Sequence, residues 1–347
     1  MFNEYFYLKE LTKLQKKFVN DFNKNSKLQF QKIDNCEICK SKNIKLLFTN
    51  DRYGINQKTC FCDDCGFVFS NPRMTEHSTQ FFYNSDIYRY IYAGEQNEEI
   101  LFQNTLKELK NYKPKYPKKP DFEKYYEQLY FDFINNEVSD FESVLDIGCG
   151  RGKKIIDFNY IGKTTRGIEP SKTFHKVHTS LGLNCNVGFI KDIKEKYDLV
   201  ILSHVFEHLT NLHEVVDILS NITKKYLFIE VPGHVTKFAS IQNAHNYYFS
   251  FNTLNHFILN NKFTLIKSDY IRNNEFILSL YKKTEKKSKF VFDKGLEKKM
   301  FKKMSKKYFG VYFTKYVITK FLRIIGLEKI FKKIFNLVKD KYKNLHE

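Results

Sequence analysis

Three groups of residues in this 347-residue sequence have the types and spacing that chemistry requires. The first is Cys36-x2-Cys39 with Cys62-x2-Cys65, the two knuckles 22 residues apart. Paired knuckles of this kind present four thiolates tetrahedrally to a structural Zn²⁺. Gly66 lets the chain turn back after the second knuckle, and Cys60 is a competing ligand just before it. The second group is "VLDIGCGRG", with Asp146, Gly148, Cys149, Gly150 and Gly152, followed by Glu169 23 residues after Asp146. Glycines in such a loop let a ligand approach the backbone, and the later acid accepts hydrogen bonds from ribose hydroxyls. Asp146 would repel a pyrophosphate, so the loop suits a ligand with a cationic amino group. The third group is His204-x2-Glu207-His208 in "SHVFEHL", which has the spacing of the inverted zinc-protease pattern.

The elements that must hold these groups decide among their uses. From Ser143 the sequence alternates short apolar runs with amphipathic stretches. Strands are expected at 143–147, 164–168, 185–187, 197–202 and 226–231, with helices near 153–160, 171–181, 211–220 and 253–260. That alternation predicts a parallel sheet covered on both faces. Two further strands, "FTLIKSD" and "EFILSLY", are joined by only "YIRNN", too short for a crossover, so they pair antiparallel. Ligands of open α/β sheets bind at the carboxyl ends of the strands. "SHVFEHL" follows the fourth strand there, not mid-helix, so the protease reading fails. Ser203 and His204 leave the strand, and Glu207 and His208 start the next turn, where a carboxylate also suits the helix dipole.

Ahead of the sheet, residues 1–30 read as a packing helix and 33–72 as the cysteine module, closed by the strand "GFVFSNP". Residues 75–112 read as a tyrosine-rich helix, "KNYKPKYPKKP" as a linker, and 121–138 as helical again. The expected organisation is 1–75, N-terminal helix and zinc-binding module; 76–138, helical cap; 139–283, the α/β domain; and 284–347, a basic amphipathic tail.

The net charge is +19, but residues 281–347 carry 21 Lys and Arg against 6 Asp and Glu, so +15 of it resides in the tail. A nucleic-acid partner is therefore disfavoured for the body of the chain. Seven cysteines in a chain with no signal peptide and no membrane-length apolar run fit a cytoplasmic protein without a disulfide framework. Cys149 and Cys185 stand apart and are expected to pack.

"VLDIGCGRG", "GIEPS", "YDLVILSHVFEHL" and "EVPG" together resemble, in order and spacing, the motifs of class I S-adenosylmethionine-dependent methyltransferases over roughly residues 140–282. The resemblance implies an α/β, Rossmann-like fold with a seven-stranded, mostly parallel sheet whose last strand is antiparallel. A small zinc-ribbon-like module precedes it and basic helices follow. It further implies that Asp146, Gly148, Cys149 and Gly150 lie along the methionine end of S-adenosylmethionine. Glu169, with Pro170 beside it, would hold the ribose hydroxyls, and the stretch before Asp192 would wall the adenine. Ser203 and His204 would flank the sulfonium. Related enzymes carry a His-aromatic-Phe-Ser element over the active site. This makes His245 the first choice of general base and Tyr247 a substrate contact. Glu207 and His208 are further catalytic candidates, and His234 is a weaker one. Tyr83, Tyr88 and Tyr90 either cap the pocket or pack.

"CFCDDCGFVFSNPRM" is similar to the N-terminal zinc module of sugar-modifying methyltransferases of bacterial glycan pathways. That resemblance implies a sugar, nucleotide-sugar or glycan-linked acceptor in surface polysaccharide biosynthesis. Deoxysugar C-methyltransferases carry a further C-terminal domain where this chain has about 65 mostly basic residues, so O-methylation is favoured over C-methylation. An RNA methyltransferase is the enzymatic alternative. It is disfavoured because "SHVF" stands where exocyclic-amine enzymes carry an Asn/Asp-Pro-Pro-aromatic element, and no cysteine is placed for pyrimidine attack. A non-catalytic cofactor-binding module is disfavoured by the intact Asp146, glycines and Glu169. Residues 315–343 have helical apolar spacing opposite lysines, broken at Gly326. This stretch fits packing on the domain or on a partner subunit, peripheral contact with an anionic membrane surface, or RNA.

Overall fold

A computed structural model of the protein describes residues 11–83, 85–93, 97–114, 129–233, 241–271 and 275–308. Linker residues 115–120, His234 and the amphipathic stretch 315–343 lie outside the described residues.

Helix α1 (Lys13–Asn23) starts at a capping box in which Thr12 accepts from the Gln15 N–H and Gln15 accepts back from the Thr12 N–H. Three antiparallel strands follow, β1 (Ile44–Asn50), β2 (Asn56–Cys62) and β3 (Val68–Ser70). The helix expected over 75–112 is divided. It consists of α2 (Glu76–Tyr83), short turns at Asp86–Tyr88 and Arg89–Ala93, and α3 (Glu98–Lys110). The reason is local: the Asn97 side chain accepts from the Glu99 N–H at 2.7 Å and so begins a new helix. After α4 (Leu129–Asn135) the chain enters the main sheet.

That sheet contains β4 (Ser143–Ile147), β5 (Thr164–Glu169), β6 (Cys185–Val187), β7 (Tyr197–Ser203), β8 (Thr223–Pro232), β10 (Phe263–Ile271) and β11 (Phe276–Lys283). The order is β10-β11-β8-β7-β4-β5-β6, and β11 alone runs antiparallel, between β8 and β10. This is the expected Rossmann-like methyltransferase arrangement of seven strands with an antiparallel last strand. The crossover helices are α5 (Lys153–Tyr160), α6 (Lys172–Ser180), α7 (Leu212–Ile222) and α8 (Phe251–Leu259).

Both faces of the sheet are covered, and the two-residue period shows it. Leu145, Val200, Leu202, Leu227 and Ile229 enter one apolar cluster, while Val144, Leu199, Ile201 and Phe228 enter the other with Phe141 and Phe158. Each such fully buried side chain contributes about 1.5–3 kcal/mol relative to exposure.

The N-terminal strands are not a separate bead. β9 (Tyr247–Tyr248), from the loop after β8, adds to them in the order β9-β3-β2-β1. Cys36, Cys62 and Cys65 belong to the same apolar cluster as the main sheet. Helix α9 (Lys294–Tyr308), the described part of the basic tail, also docks here, with Phe301 stacked on Phe61 at 4.4 Å. Among the described residues no helix is long and apolar enough to cross a membrane.

Candidate active site

A cavity of about 560 Å³ opens at the carboxyl ends of β4, β5 and β7, beneath α2, the Arg89 turn and α3. That volume suits a small-molecule site. Its floor is the glycine loop. Gly148 has φ +67°, and a Cβ there would stand 2.4 Å from Val205 Cγ2, so only glycine lets the loop after β7 close on it. Gly150 has φ +52° with nothing within 4 Å of a Cβ, so the space above it is open.

Glu169 and Pro170 line the cavity, with Glu169 taking the Ser171 N–H at 3.0 Å and the Gly150 N–H at 2.9 Å. One lone pair on each oxygen is left for a ligand. Burial raises the Glu169 carboxyl above its usual range, against the pull of those two N–H groups. Gly188, Phe189, Ile190 and Lys191, the stretch before Asp192, form one side of the cavity. Asp192 fixes it by accepting from the Phe189 N–H at 2.7 Å.

Two residues of the loop motif lie off the cavity wall. Asp146 is 2% exposed and lies beneath the loop, off the wall formed by described residues. Burial pushes its carboxyl up to about 7, and its Oδ2 has no hydrogen-bond partner among the described residues. Cys149 also turns away from the cavity, its sulfur 3.9 Å from Cys185, because Gly167 leaves room for both beneath the loop.

Ser203, His204 and His208 line the opposite wall. His204 has φ +56°, unusual for a side chain with a Cβ, and its N–H donates to the Glu230 carbonyl at 2.8 Å. Its ring lies between Glu230, 3.5 Å from Nε2, and Glu207, 3.7 Å from Nδ1. Burial pulls this imidazole down, but the two carboxylates outweigh it and push it up to about 10. Burial would raise Glu230, yet His204 and the Ser203 hydroxyl hold it down at about 2.

Glu207 and His245 lie behind His208 and do not reach the described wall. Glu207 is 1% exposed, and His245 is buried with its ring 4.9 Å from that of His208. Tyr247 is a larger departure from expectation. Its hydroxyl lies between Arg73, Glu37 at 3.0 Å and the Thr210 carbonyl at 2.9 Å, so it joins the cysteine module to the sheet and does not face the cavity. The module also holds the base candidate by its backbone, since Ser70 Oγ donates to the His245 carbonyl at 2.8 Å.

Tyr83 and Tyr88 roof the cavity, Tyr83 edge-on to His208 at 6.0 Å. Tyr90 packs on Phe18 at 4.5 Å. Arg89, Glu98, Asn211 and Glu214 also line the site and were missed, since they come from separate segments with no motif among them. Glu98 is locked by the Thr173 hydroxyl at 2.8 Å, which ties α3 to α6.

The sulfurs of Cys36, Cys39, Cys62 and Cys65 all lie within 4.8 Å of one another, Cys36 to Cys65 at 3.6 Å and Cys39 to Cys62 at 3.4 Å. Cys60 points away toward the Asn71 carbonyl. Cys36 is pushed up to about 12, chiefly by its hydrogen bond with Cys62, and Cys65 is raised chiefly by its hydrogen bond with Cys36.

Residues 103–267, just under half of the chain, match the family model described as a methyltransferase domain. Among curated relatives, the ubiquinone biosynthesis O-methyltransferase of Nitrobacter winogradskyi is 28% identical over 82 residues, which are 21% of this chain and 31% of that protein. The protein of that name from Rhodopseudomonas palustris is 34% identical over 77 residues, 20% of this chain and 30% of its own length. The chain therefore spans about a third of the curated relatives it matches. Among solved structures, the S-adenosylmethionine-bound magnesium protoporphyrin IX methyltransferase of Synechocystis aligns with a TM-score of 0.40 at 14% identity, covering 59% of this chain and 97% of that one. An S-adenosylmethionine-dependent methyltransferase from Listeria monocytogenes aligns with a TM-score of 0.37 at 15% identity, covering 45% and 98%.

Proposed function

We propose that this chain, whose residues 103–267 match a methyltransferase-domain model, transfers a methyl group from S-adenosylmethionine to a hydroxyl of a small polar acceptor. The observation that carries the reading is the cavity together with the loop that floors it, and three features there fit the cofactor. Above Gly150 there is open space. Glu169 keeps acceptor lone pairs beside it for ribose hydroxyls. Asp146 has a buried oxygen without a partner, which suits indirect engagement of the amino group from beneath the loop.

The cofactor supplies an electrophilic methyl on a sulfonium, and this chain's residues must orient the acceptor and accept its proton. The acceptor's place is the side bounded by His208, Tyr83 and Tyr88. His208 is the one of the four catalytic candidates on the described cavity wall, so it replaces His245 as the residue nearest the acceptor. Charged and amide groups at Glu76, Gln80, Asn211 and Glu214 in the cavity lining can hydrogen-bond a polar acceptor. This favours a sugar or glycan-linked acceptor, and the O-methyltransferase names of the curated relatives favour oxygen over carbon.

We also propose a structural Zn²⁺ at Cys36, Cys39, Cys62 and Cys65. Zinc–sulfur bonds of about 2.3 Å place tetrahedral sulfurs about 3.8 Å apart, close to the contacts observed. The ion would tie the module into the core that also holds β9 and the His245 loop.

Calorimetry with S-adenosylmethionine and transfer of labelled methyl to a panel of nucleotide sugars and catechols tests the reading. Cofactor binding with turnover of a sugar is the expected result. Turnover of catechols alone would overturn the acceptor class, and absence of cofactor binding would overturn the activity.

A further inference from the structure

Beneath the acceptor side of the cavity, a buried carboxylate and two imidazole nitrogens converge. Glu207 is 1% exposed, and neither of its carboxylate oxygens has a hydrogen-bond partner among the described residues. His208 Nε2 lies 3.6 Å from Glu207 Oε1 and His245 Nε2 lies 3.9 Å from it.

The tautomers follow from the surroundings. His208 Nδ1 is 2.5 Å from the Ala244 carbonyl, which can only accept, so Nδ1 carries a proton and, in the neutral ring, Nε2 is the nitrogen left to ligate. Arg52 donates to the Gln242 Oε1 atom, and a guanidinium can only donate. The Gln242 NH2 therefore faces His245, leaving His245 Nε2 as an acceptor too.

A buried carboxylate and two imidazole lone pairs aimed at one another are costly unless something positive lies between them. His204 offers its charge to Glu207 from one side only, at 3.7 Å. The Gln242 amide offers the positive end of an N–H to His245 alone.

We propose that Glu207, His208 and His245 form a second metal site, distinct from the four cysteines, for a divalent transition-metal ion. Two imidazoles and one carboxylate suit zinc, manganese, iron or cobalt in preference to magnesium or calcium. The three ligand atoms already lie within 4.8 Å of one another. Bonds of about 2.1 Å bring them to about 3–3.5 Å, so small side-chain shifts and displacement of the Gln242 amide complete the site. Backbone hydrogen bonds hold the ligand segments together, since Asn246 N–H donates to the Glu207 carbonyl and Asn246 Nδ2 to the His208 carbonyl, both at 2.8 Å.

His208 is the ligand that also lines the cavity, so the ion would sit behind its ring. Resting on the transfer reading above, this assigns the ion the task of fixing the His208 ring against the acceptor.

Cobalt titration of the full chain, stripped of metal, tests the site. Wild type is expected to bind two Co²⁺ per chain, one with thiolate charge-transfer absorption and one without. Cys36→Ser should abolish the first. Glu207→Gln, close in shape, should abolish the second or weaken it more than about tenfold, with cofactor affinity retained as evidence of folding. His208→Gln should act in the same direction. A wild type that takes up only thiolate-bound cobalt overturns the site, as does a Glu207→Gln protein that binds both ions like wild type. Calorimetry with S-adenosylmethionine on the same samples separates the two readings. Cofactor binding without the second cobalt removes only the ion, and the second cobalt without cofactor binding removes only the methyltransferase reading.

Discussion

The two ends of the cavity are built in opposite ways. The cofactor end is mostly backbone: a glycine loop, the N–H groups of Gly150 and Ser171, and one carboxylate that they hold. Its parts lie within about 45 residues, on consecutive strand–helix units. The acceptor end is made of side chains from distant segments, with Tyr83 and Tyr88 from the roof, His204 and His208 after β7, and His245 behind them on a loop fixed by the cysteine module. A backbone site is fixed once its strands pair. A side-chain site depends on several independent contacts. The first end should therefore tolerate changes in the second.

That separation gives the largest expected effect. His208→Ala should lower kcat by about 10²-fold, the order expected when an acceptor is misplaced, with cofactor affinity within about threefold of wild type. Glu169→Ala should do the reverse. Loss of two charge-assisted hydrogen bonds at about 1.5–3 kcal/mol each should weaken cofactor binding by at least tenfold, and saturating cofactor should restore much of the rate. Single-turnover kinetics beside calorimetry measures both. If His208→Ala lost cofactor affinity as severely as Glu169→Ala, the two ends would be one unit and the comparison would fail.

A smaller effect is expected at Tyr247, which the sequence pattern places in the site and the structure places in the joint between module and sheet. Tyr247→Phe removes a hydroxyl from a buried group that includes the Arg73–Glu37 ion pair, at 2.5 Å. A stability loss of about 1–3 kcal/mol in chemical unfolding is expected, with kcat unchanged. A tenfold loss of kcat in a protein of normal stability would return Tyr247 to the acceptor.

The same contrast explains what could be read from the sequence. The sheet was legible because its strands are buried on both faces and appear as continuous apolar runs, and "YIRNN" is too short for any connection but an antiparallel one. The glycine-loop end of the cavity was legible because Gly148, Gly150 and Glu169 are fixed by local geometry. The depth of Asp146 was not legible: the motif supplies its position in the chain, whereas its burial depends on how the loop folds over it. Tyr83 and Tyr90 belong to one tyrosine-rich stretch, yet one roofs the cavity and the other stacks on Phe18. Only the approach of α1 decides between them, and pattern does not encode that. "SHVFEHL" first suggested a metal grip through His204 and His208. The geometry instead groups Glu207 and His208 with His245, 37 residues beyond His208 and brought in by pairing of β9 with β3.

The smallest effect concerns His204, the residue where the two ends meet. Its folded pKa is raised to about 10 and that of Glu230 is lowered to about 2. A raised imidazole contributes stability that is full below its unfolded value, about 6.5, and is lost as pH rises through 10. A lowered carboxylate contributes stability that is full above its unfolded value, about 4.3, and is lost as pH falls through 2. The pair therefore contributes most between about pH 4.5 and 6.5 and declines on either side. The His204 side chain is 39% exposed, so solvent screening keeps the contribution on the order of 1 kcal/mol or less. Glu230→Gln should reduce the fall in unfolding free energy between pH 6.5 and 10. It should do so without abolishing it, because Glu207 still faces the other nitrogen of the ring. Urea unfolding of both proteins across that range measures the difference. Identical slopes would mean that His204 titrates without its neighbours, and that its left-handed backbone, not its charge, is what the junction requires.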